Sequence, residues 1–283
     1  MLAATIWGFS FVAQQLGAKY IGAFTFNGVR FALGAISLIP LILYFNYHQK
    51  KEEKSSTNYK KVLGYGIILG TVLFIASAFQ QVGISGTTAG KAAFITGLYM
   101  VFVPLLGMVL KQRIGINAWL GIGVATIGLY LLCVKDGFYI SFSDLLELAG
   151  ALFFAIHLLL IDYFSSKAEA LMLAFFQFIT CSVLSLLVAV FYESITIDGL
   201  SEAMLPILYG GVCSVGIAYT LQIIGQKHSE PFYAAIILSL ETVFATLGGF
   251  FILNEQLGIR AVAGCALMFA GMILSQVKFF KKH

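Results

Sequence analysis

The chain has 283 residues, of which 60% are hydrophobic and 11% are charged, and its mean hydropathy is +0.94. A soluble protein carries about 25% charged residues, so this composition excludes a soluble enzyme or binding domain and indicates a membrane protein. The net charge of +4 does not indicate a nucleic-acid-binding protein, because the lysines lie at the ends of apolar segments rather than along one surface element.

Ten apolar segments follow one another along the chain, separated by short polar joints. Each is about 20 residues long, the length that an α-helix needs to cross a bilayer, and none alternates like a strand of a membrane barrel. The first is interpreted as a retained helix rather than a signal peptide, and because it is short we expect the chain to extend a few residues upstream. The sequence predicts an all-α integral membrane protein with ten transmembrane helices, at 1–18, 25–47, 62–81, 87–110, 114–134, 144–163, 169–192, 204–224, 231–253 and 258–277.

The basic residues predict the orientation, because loops rich in Lys and Arg stay in the cytoplasm. With the N-terminus inside, the inner loops carry most of these residues, including those of the segment 46–61, and the outer loops carry Lys19, Lys135 and Arg260. We therefore expect a multi-pass protein of the plasma (inner) membrane with both termini in the cytoplasm.

The two halves of the chain resemble each other. Residues 91–132 can be laid on residues 234–275, and the glycines match, for example Gly121 with Gly264 and Gly128 with Gly271. Glycines fix where helices approach closely, so a shared glycine spacing is better evidence than matched apolar residues. A five-helix unit that is repeated must enter the membrane from opposite sides. The sequence thus predicts two inverted repeats, 1–135 and 144–278, a frequent plan of secondary transporters.

Three motifs resemble those of a known family. "IWGFSFV" (6–12), "NGVRF" (27–31) and "SLETVFATLGGFFILNEQLG" (239–258) are similar to blocks of the drug/metabolite transporter superfamily, EamA-like family, and the resemblance covers essentially the whole chain. It implies two inverted five-helix bundles around a central cavity and the export or uptake of small metabolites. Thr242 stands where the family usually has proline, and Gln112 replaces a glutamate.

Charged residues inside the predicted spans are the first candidates for a site, since each is costly in a bilayer. Glu241, at the centre of the ninth span, would bind a substrate amine or carry a coupled proton, or else serve as a neutral packing residue. Lys91 would attract an acidic group or pair with Glu147 or Glu241, or snorkel outward. Arg30 is expected to anchor the second helix to headgroups or to an outer carboxylate.

Uncharged polar and aromatic residues complete the candidate site. Trp7 and Gln14 share a face of the first helix, and the amide of Gln14 needs a partner in a dry bundle. Tyr99 continues a stripe through Lys91, on a span that we expect to be one helix. His157 is the second candidate for proton coupling, with a neutral packing role as the alternative. Buried amides such as Gln177 are expected to point inward.

The sequence therefore predicts a secondary transporter that alternates between inward and outward openings and is driven by an ion gradient or by exchange. The expected cargo is a small metabolite, such as an amino acid or a drug, and the expected direction is export, on family resemblance alone. The alternative is a non-transporting membrane scaffold or subunit. We expect no enzymatic activity, no cofactor and no metal. The expected partners are the lipid bilayer and a small-molecule substrate, and a homodimer is allowed for. No nucleic acid is expected to bind.

Overall fold

The protein is described here from a computed structural model, in which residues 1–48, 59–112, 114–133, 141–253 and 258–276 are described. Most of the charged segment predicted at 46–61, Lys135 and the basic residues after 276 lie outside these residues. Within them the chain is helical and contains no strand. The prediction of an all-α membrane protein is confirmed.

Fourteen α-helices and one π-helix make up the described part of the chain. In order they are α1 (Leu2–Gly17), α2 (Ala23–His48), α3 (Tyr59–Ile84), α4 (Ala89–Gly97), α5 (Tyr99–Val109), α6 (Ile116–Cys133), α7 (Phe142–Ser165), α8 (Ala170–Tyr192), α9 (Ile197–Glu202), α10 (Met204–Leu208), the π-helix (Tyr209–Tyr219), α11 (Thr220–Gln226), α12 (Pro231–Leu238), α13 (Glu241–Leu253) and α14 (Ile259–Gln276).

Each of the ten predicted segments coincides with one helix or with a consecutive run of helices. Among the described residues, seven such stretches are long and apolar enough to cross a membrane, and α6 and α14 contain shorter apolar helices. The remaining segment is α1, a helix of 16 residues. The seven stretches are Ala23–Phe45, Tyr59–Ile84, Ala89–Val109, Phe142–Ser165, Ala170–Tyr192, Met204–Gln226 and Pro231–Ile252.

Two of the predicted spans are interrupted near their middles by one or two residues in a tighter turn, so neither is a regular α-helix throughout, although each remains one stretch long enough to cross a membrane. The fourth breaks at Leu98, between α4 and α5, and the ninth breaks at Ser239–Leu240, between α12 and α13. At the second break the Ser239 hydroxyl donates to the carbonyl of Ile236 at 2.8 Å, a local bond that competes with regular helix geometry. The ninth span is thus interrupted although Thr242 stands at the position where the family usually has proline.

The two breaks face each other in the bundle. The Thr242 hydroxyl donates to the Ala93 carbonyl at 3.0 Å, and a Cβ on Gly97 would lie 3.0 Å from that hydroxyl. Helix α1 packs against the same region, because a Cβ on Gly8 would lie 2.6 Å from the carbonyl oxygen of Glu241. Small residues thus bring three helices together around the point where two of the spans are interrupted.

Helices α6 and α14 pack through the glycines that match between the two halves. A Cβ on Gly121 would lie 2.7 Å from the Gly271 carbonyl oxygen, and a Cβ on Gly128 would lie 2.6 Å from the Gly264 carbonyl oxygen. Gly121 matches Gly264, and Gly128 matches Gly271, so exchanging the two helices reproduces the same contacts. At these two positions the contacts between α6 and α14 are therefore symmetric.

Candidate functional site

A central cavity of about 30 Å³ lies where the two broken spans meet. Its volume suffices for a water molecule or two and is too small for a metabolite. Side chains from five of the predicted spans surround it, and most of them are aromatic or polar. The lining residues are Trp7, Thr96, Tyr99, Phe154, His157, Leu158, Tyr219, Gln222, Leu238 and Glu241.

Glu241 is the first residue of α13, immediately after the break in the ninth span, and its side chain faces the cavity. The residue is only 4% exposed, and its Oε1 makes no hydrogen bond. The Tyr99 hydroxyl lies beside this carboxyl group and interacts with it, although the two groups do not meet at full hydrogen-bond geometry. Buried polar atoms are normally fully paired, so the Glu241 carboxyl group, with Tyr99 beside it and Oε1 otherwise without a partner, is the candidate ligand site of this cavity.

The break at Leu98 brings Tyr99 to the cavity and separates it from Lys91. The predicted stripe from Lys91 to Tyr99 on one helix is therefore wrong: Lys91 lies in the first turn of α4, and Tyr99 begins α5. The Thr88 side chain caps α4 by accepting from the Lys91 backbone N–H at 3.2 Å.

His157 and Gln177 form a buried pair. The His157 Nε2 and the Gln177 Oε1 are 3.0 Å apart, which fits a neutral ring that donates from Nε2. The Gln177 Nε2 makes no hydrogen bond. His157 lines the cavity, whereas Gln177 contacts His157 and does not itself line the cavity.

Trp7 is held in the cavity wall by two contacts. Its indole Nε1 donates to the Ser214 carbonyl at 3.2 Å, and its ring centroid lies 4.6 Å from that of Tyr219. Both partners lie in the π-helix Tyr209–Tyr219, within a segment predicted as a regular helix. Wide π turns are frequent at functional sites.

Gln14 belongs to a second cavity of about 30 Å³, on the other side of Trp7 and Tyr219. The same cavity is lined by Arg30, which is only 3% exposed. The expectation that Arg30 anchors α2 to headgroups is wrong, because the side chain points into the bundle. The full lining is Trp7, Ser10, Phe11, Gln14, Arg30, Gln80, Ser214 and Tyr219.

Lys91 lines neither cavity. It forms an ion pair with Asp144, 2.6 Å between Nζ and Oδ2, which differs from the predicted pairing with Glu147 or Glu241. Glu147 is fully buried and accepts from the Thr96 hydroxyl at 3.1 Å. Thr96 lines the central cavity, so the sequence interpretation missed Glu147 as well as Arg30. Both carry the signal that could have found them, an ionisable side chain inside a predicted span.

The two ends of the bundle differ. At the end that carries Met1, a third cavity of about 320 Å³ reaches Gln222 and Leu238, which also line the central cavity. At the opposite end, the Lys91–Asp144 ion pair joins α4 to α7, and the Gln15 amide joins α1 to the segment before α4 by donating to the Thr87 carbonyl at 3.1 Å.

Comparison with known proteins decides the family. The sequence matches the family described as "EamA-like transporter family" at residues 1–134 and again at residues 141–276. The chain belongs to the EamA-like transporter family. It is 30% identical over 278 residues to an "Uncharacterized transporter" of Archaeoglobus fulgidus, covering 98% of this chain and 84% of that protein. It is also 20% identical to the "Uncharacterized transporter YoaV" of Bacillus subtilis, covering 98% and 95%.

The fold is also found among solved structures. One described as "Crystal structure of protein" superposes with a TM-score of 0.74 at 18% identity, covering 97% of this chain and 96% of that one. At this identity the likeness shows the fold alone. Together with the family match, the apolar helices identify this EamA-like protein as a multi-pass membrane transporter.

Proposed function

We propose that this EamA-like protein is a secondary transporter whose cargo binds at the central cavity between the two broken spans, which must widen beyond its present volume of about 30 Å³ to admit that cargo. The observation that carries the proposal is the buried carboxyl group of Glu241, whose Oε1 has no hydrogen-bond partner and which lies beside the Tyr99 hydroxyl at a point where both helices are interrupted. Broken helices near the midplane are a common way to build a transporter site, because the interruption exposes polar groups to the cargo.

The chemistry of the lining favours a small, partly apolar cargo that carries an amine. Glu241 supplies a carboxyl group, the ring pair Trp7–Tyr219 supplies aromatic faces, and Leu238 supplies apolar surface. Glu241 and His157 supply the carboxyl group and the imidazole that line this cavity. Either can carry a coupled proton, so transport would draw on an ion gradient or on exchange, with export as the direction.

Alternating access accounts for the difference between the two ends of the bundle. The 320 Å³ cavity at the Met1 end leads to Gln222 and Leu238, whereas contacts including the Lys91–Asp144 pair join the helices at the other end. A conformation open to one side and closed to the other is one half of such a cycle. The opposite half would require the Lys91–Asp144 pair to separate.

The proposed topology is ten membrane crossings in two inverted repeats, 1–135 and 144–278, in the plasma membrane with both termini in the cytoplasm. The symmetric packing of Gly121 and Gly128 against Gly271 and Gly264 supports it, because helices related by an inverted repeat meet in this way.

The experiment is untargeted metabolite profiling of medium and cytosol from cells that express the wild type, Glu241→Gln, or no protein. Glu202→Gln is the matched control, because Glu202 is exposed at the end of α9. We expect at least one amine-containing compound to accumulate outside with the wild type and the control, and not with Glu241→Gln. Accumulation that is equal for Glu241→Gln and the wild type would contradict the role of this site.

The alternative is a membrane scaffold that moves no solute. It predicts that all strains give the same metabolite profile, although the protein is present in the membrane at equal amounts. Depletion of a compound from the medium, instead of accumulation, would keep the transporter and reverse its direction.

A further inference from the structure

Glu147 is a buried carboxyl group that the proposed cargo site does not use. It is fully buried in α7 and does not line the central cavity. Helices α3 and α4 enclose it: a Cβ on Gly83 would lie 2.9 Å from the Glu147 Cγ, and the Thr96 hydroxyl donates to Oε2 at 3.1 Å. Its Oε1 is buried without a hydrogen bond. Within the described residues, one hydroxyl is thus the whole hydrogen-bonding environment of this carboxyl group.

Among the described residues, no cation balances a negative charge on Glu147. The ion pair on this side of the bundle joins Lys91 to Asp144, which lies three residues before Glu147 on α7 and carries a like charge. Helices α5, α11 and α12 also pack against α7, and none of these three contains an acidic or basic residue. Their tyrosines, Tyr99 and Tyr233, contact other side chains. A carboxylate that leaves water without a paired cation is strongly disfavoured, so the proton-bearing form fits this conformation.

The carboxyl group belongs to a pair of contacts that close α4 against α7. Both helices begin at the end of the bundle opposite Met1, where the Lys91 Nζ and the Asp144 Oδ2 are 2.6 Å apart. The bond from Thr96 to Glu147 follows about one helical turn further in. Because both contacts join the same two helices, separation of the ion pair in the opposite half of the transport cycle would also bring water to Glu147.

We propose that Glu147 is a proton-binding site separate from the cargo cavity, and that its proton keeps the end opposite Met1 closed. The inference rests on the proposed function, because it assigns a role within alternating access. In the closed conformation the carboxyl group is buried and holds the proton. Once α4 and α7 separate, water stabilises the carboxylate. Loss of the proton therefore favours opening of this end, and binding of a proton favours its closure.

Thr96 connects this site with the central cavity, which it lines. Its hydroxyl oxygen accepts from the Gln80 Nε2 at 3.3 Å while the hydroxyl donates to Glu147, so one lone pair of that oxygen stays unused. In release toward the cavity, the carboxyl proton moves to the Thr96 oxygen, and the proton that Thr96 carried moves to a water molecule. Thr96 stays neutral, Glu147 becomes a carboxylate and the water becomes hydronium. A proton that enters at the end opposite Met1 and leaves through the cavity would couple its own entry to the export of cargo.

The test follows the opening of this end against pH in the purified full-length protein. The four native cysteines are replaced by alanine, and Ala92→Cys supplies a reporter, because Ala92 is fully buried in α4, in an apolar cluster that also contains Phe11. Its rate of alkylation by a water-soluble maleimide is compared with the rate for the same reporter in Glu147→Gln. The ratio of the two rates cancels the effect of pH on the thiol, and glutamine mimics the neutral carboxyl group at every pH.

We expect equal rates at acidic pH, where Glu147 is protonated. As the pH rises, the protein with Glu147 should become faster than Glu147→Gln, by up to about tenfold per pH unit over the range in which the open and closed conformations bind the proton differently. Glu202→Gln is the matched control, because Glu202 is an exposed glutamate whose loss should leave the rise unchanged.

Two further measurements do not depend on the reporter rates of Glu147→Gln. If that variant does not fold, Thr96→Val keeps the size of the side chain and removes the one donor to the carboxylate, so the rise should move to higher pH. Infrared difference spectra between acidic and alkaline pH should contain a C=O band of a protonated carboxyl group that is missing in Glu147→Gln and present in Glu202→Gln.

Three results would overturn the proposal. The first is a rate that does not rise with pH when Glu147 is present, and the second is the same rise in Glu147→Gln. The third is a rise that is lost in Glu241→Gln and kept in Glu147→Gln, which would assign the pH response to the central cavity. The proposed function fails separately. Opening that depends on Glu147 in a protein that moves no metabolite would keep the proton site and remove the transporter, whereas transport with an unchanged pH response in Glu147→Gln would remove only the proton site.

Discussion

Replacing Gly8 with alanine should force α1 away from α13. A Cβ at this position would lie 2.6 Å from the Glu241 carbonyl oxygen and 2.7 Å from the Ala245 nitrogen. Both atoms belong to the backbone, so they cannot rotate away, and ordinary contact at about 3.5 Å requires the helices to separate by almost 1 Å. Overpacking of this kind costs about 1–3 kcal/mol.

The separation acts on the site because Gly8 follows Trp7 and contacts the first residue of α13. We expect the unfolding midpoint of the purified Gly8→Ala protein to fall by about 2–12 °C. Transport by the same variant should fall as well, since Trp7 and Glu241 move apart. The midpoint is measured by a thermal shift in detergent, and transport by the metabolite assay.

Gly123→Ala is the matched control, because Gly123 lies in α6 and a Cβ there would meet nothing within 4 Å. The same chemical change should leave its midpoint and its transport close to those of the wild type. A Gly8→Ala protein that is as stable and as active as Gly123→Ala would refute the close approach of α1 and α13.

Three further predictions concern the frame around the site. Glu193→Ala should lower the free energy of unfolding by about 1.5–3 kcal/mol. The Glu193 carboxylate accepts from two backbone N–H groups at 2.9 and 2.8 Å and from a hydroxyl at 2.7 Å, all at the start of α2. In thermal unfolding, equal midpoints for Glu193→Ala and the exposed-site variant Glu202→Ala would argue against this cap. Thr242→Val keeps the size of the side chain and removes the hydroxyl bond to Ala93, so it should cost about 0.6 kcal/mol in the same assay, and an unchanged midpoint would show that the bond adds nothing. A cysteine placed in the segment 46–61 should react only with membrane-permeant reagents in intact cells, whereas labelling by an impermeant reagent would place this segment outside.

The sequence predicts the helices of this protein well, because a membrane span is set by length and apolarity, and both can be read locally. Over the described residues, each of the ten predicted segments consists mainly of helix. The breaks at Leu98 and at Ser239 were not predicted, since both lie inside long, mainly apolar runs and neither has a proline at the break. They depend on contacts between distant segments, such as the bond from Thr242 to Ala93.

The candidate site was predicted only in part, because the direction in which a side chain points also depends on contacts between distant segments. Trp7, Tyr99, His157 and Glu241 do line one cavity, because aromatic and ionisable residues inside a span tend to face the bundle interior. Arg30 was predicted to bind headgroups or an outer carboxylate because it lies near a predicted end, and position along a helix does not determine which way a side chain points.

The central claim is that the cavity at Glu241 moves small metabolites, and transport by purified protein tests it most directly. Proteoliposomes with the wild type or with Glu241→Gln, and liposomes without protein, are incubated in a filtered cell-metabolite extract, and their contents are measured by mass spectrometry. We predict that at least one compound enters only the wild-type vesicles. Wild-type vesicles with the same contents as protein-free liposomes, or as those with Glu241→Gln, would contradict the claim.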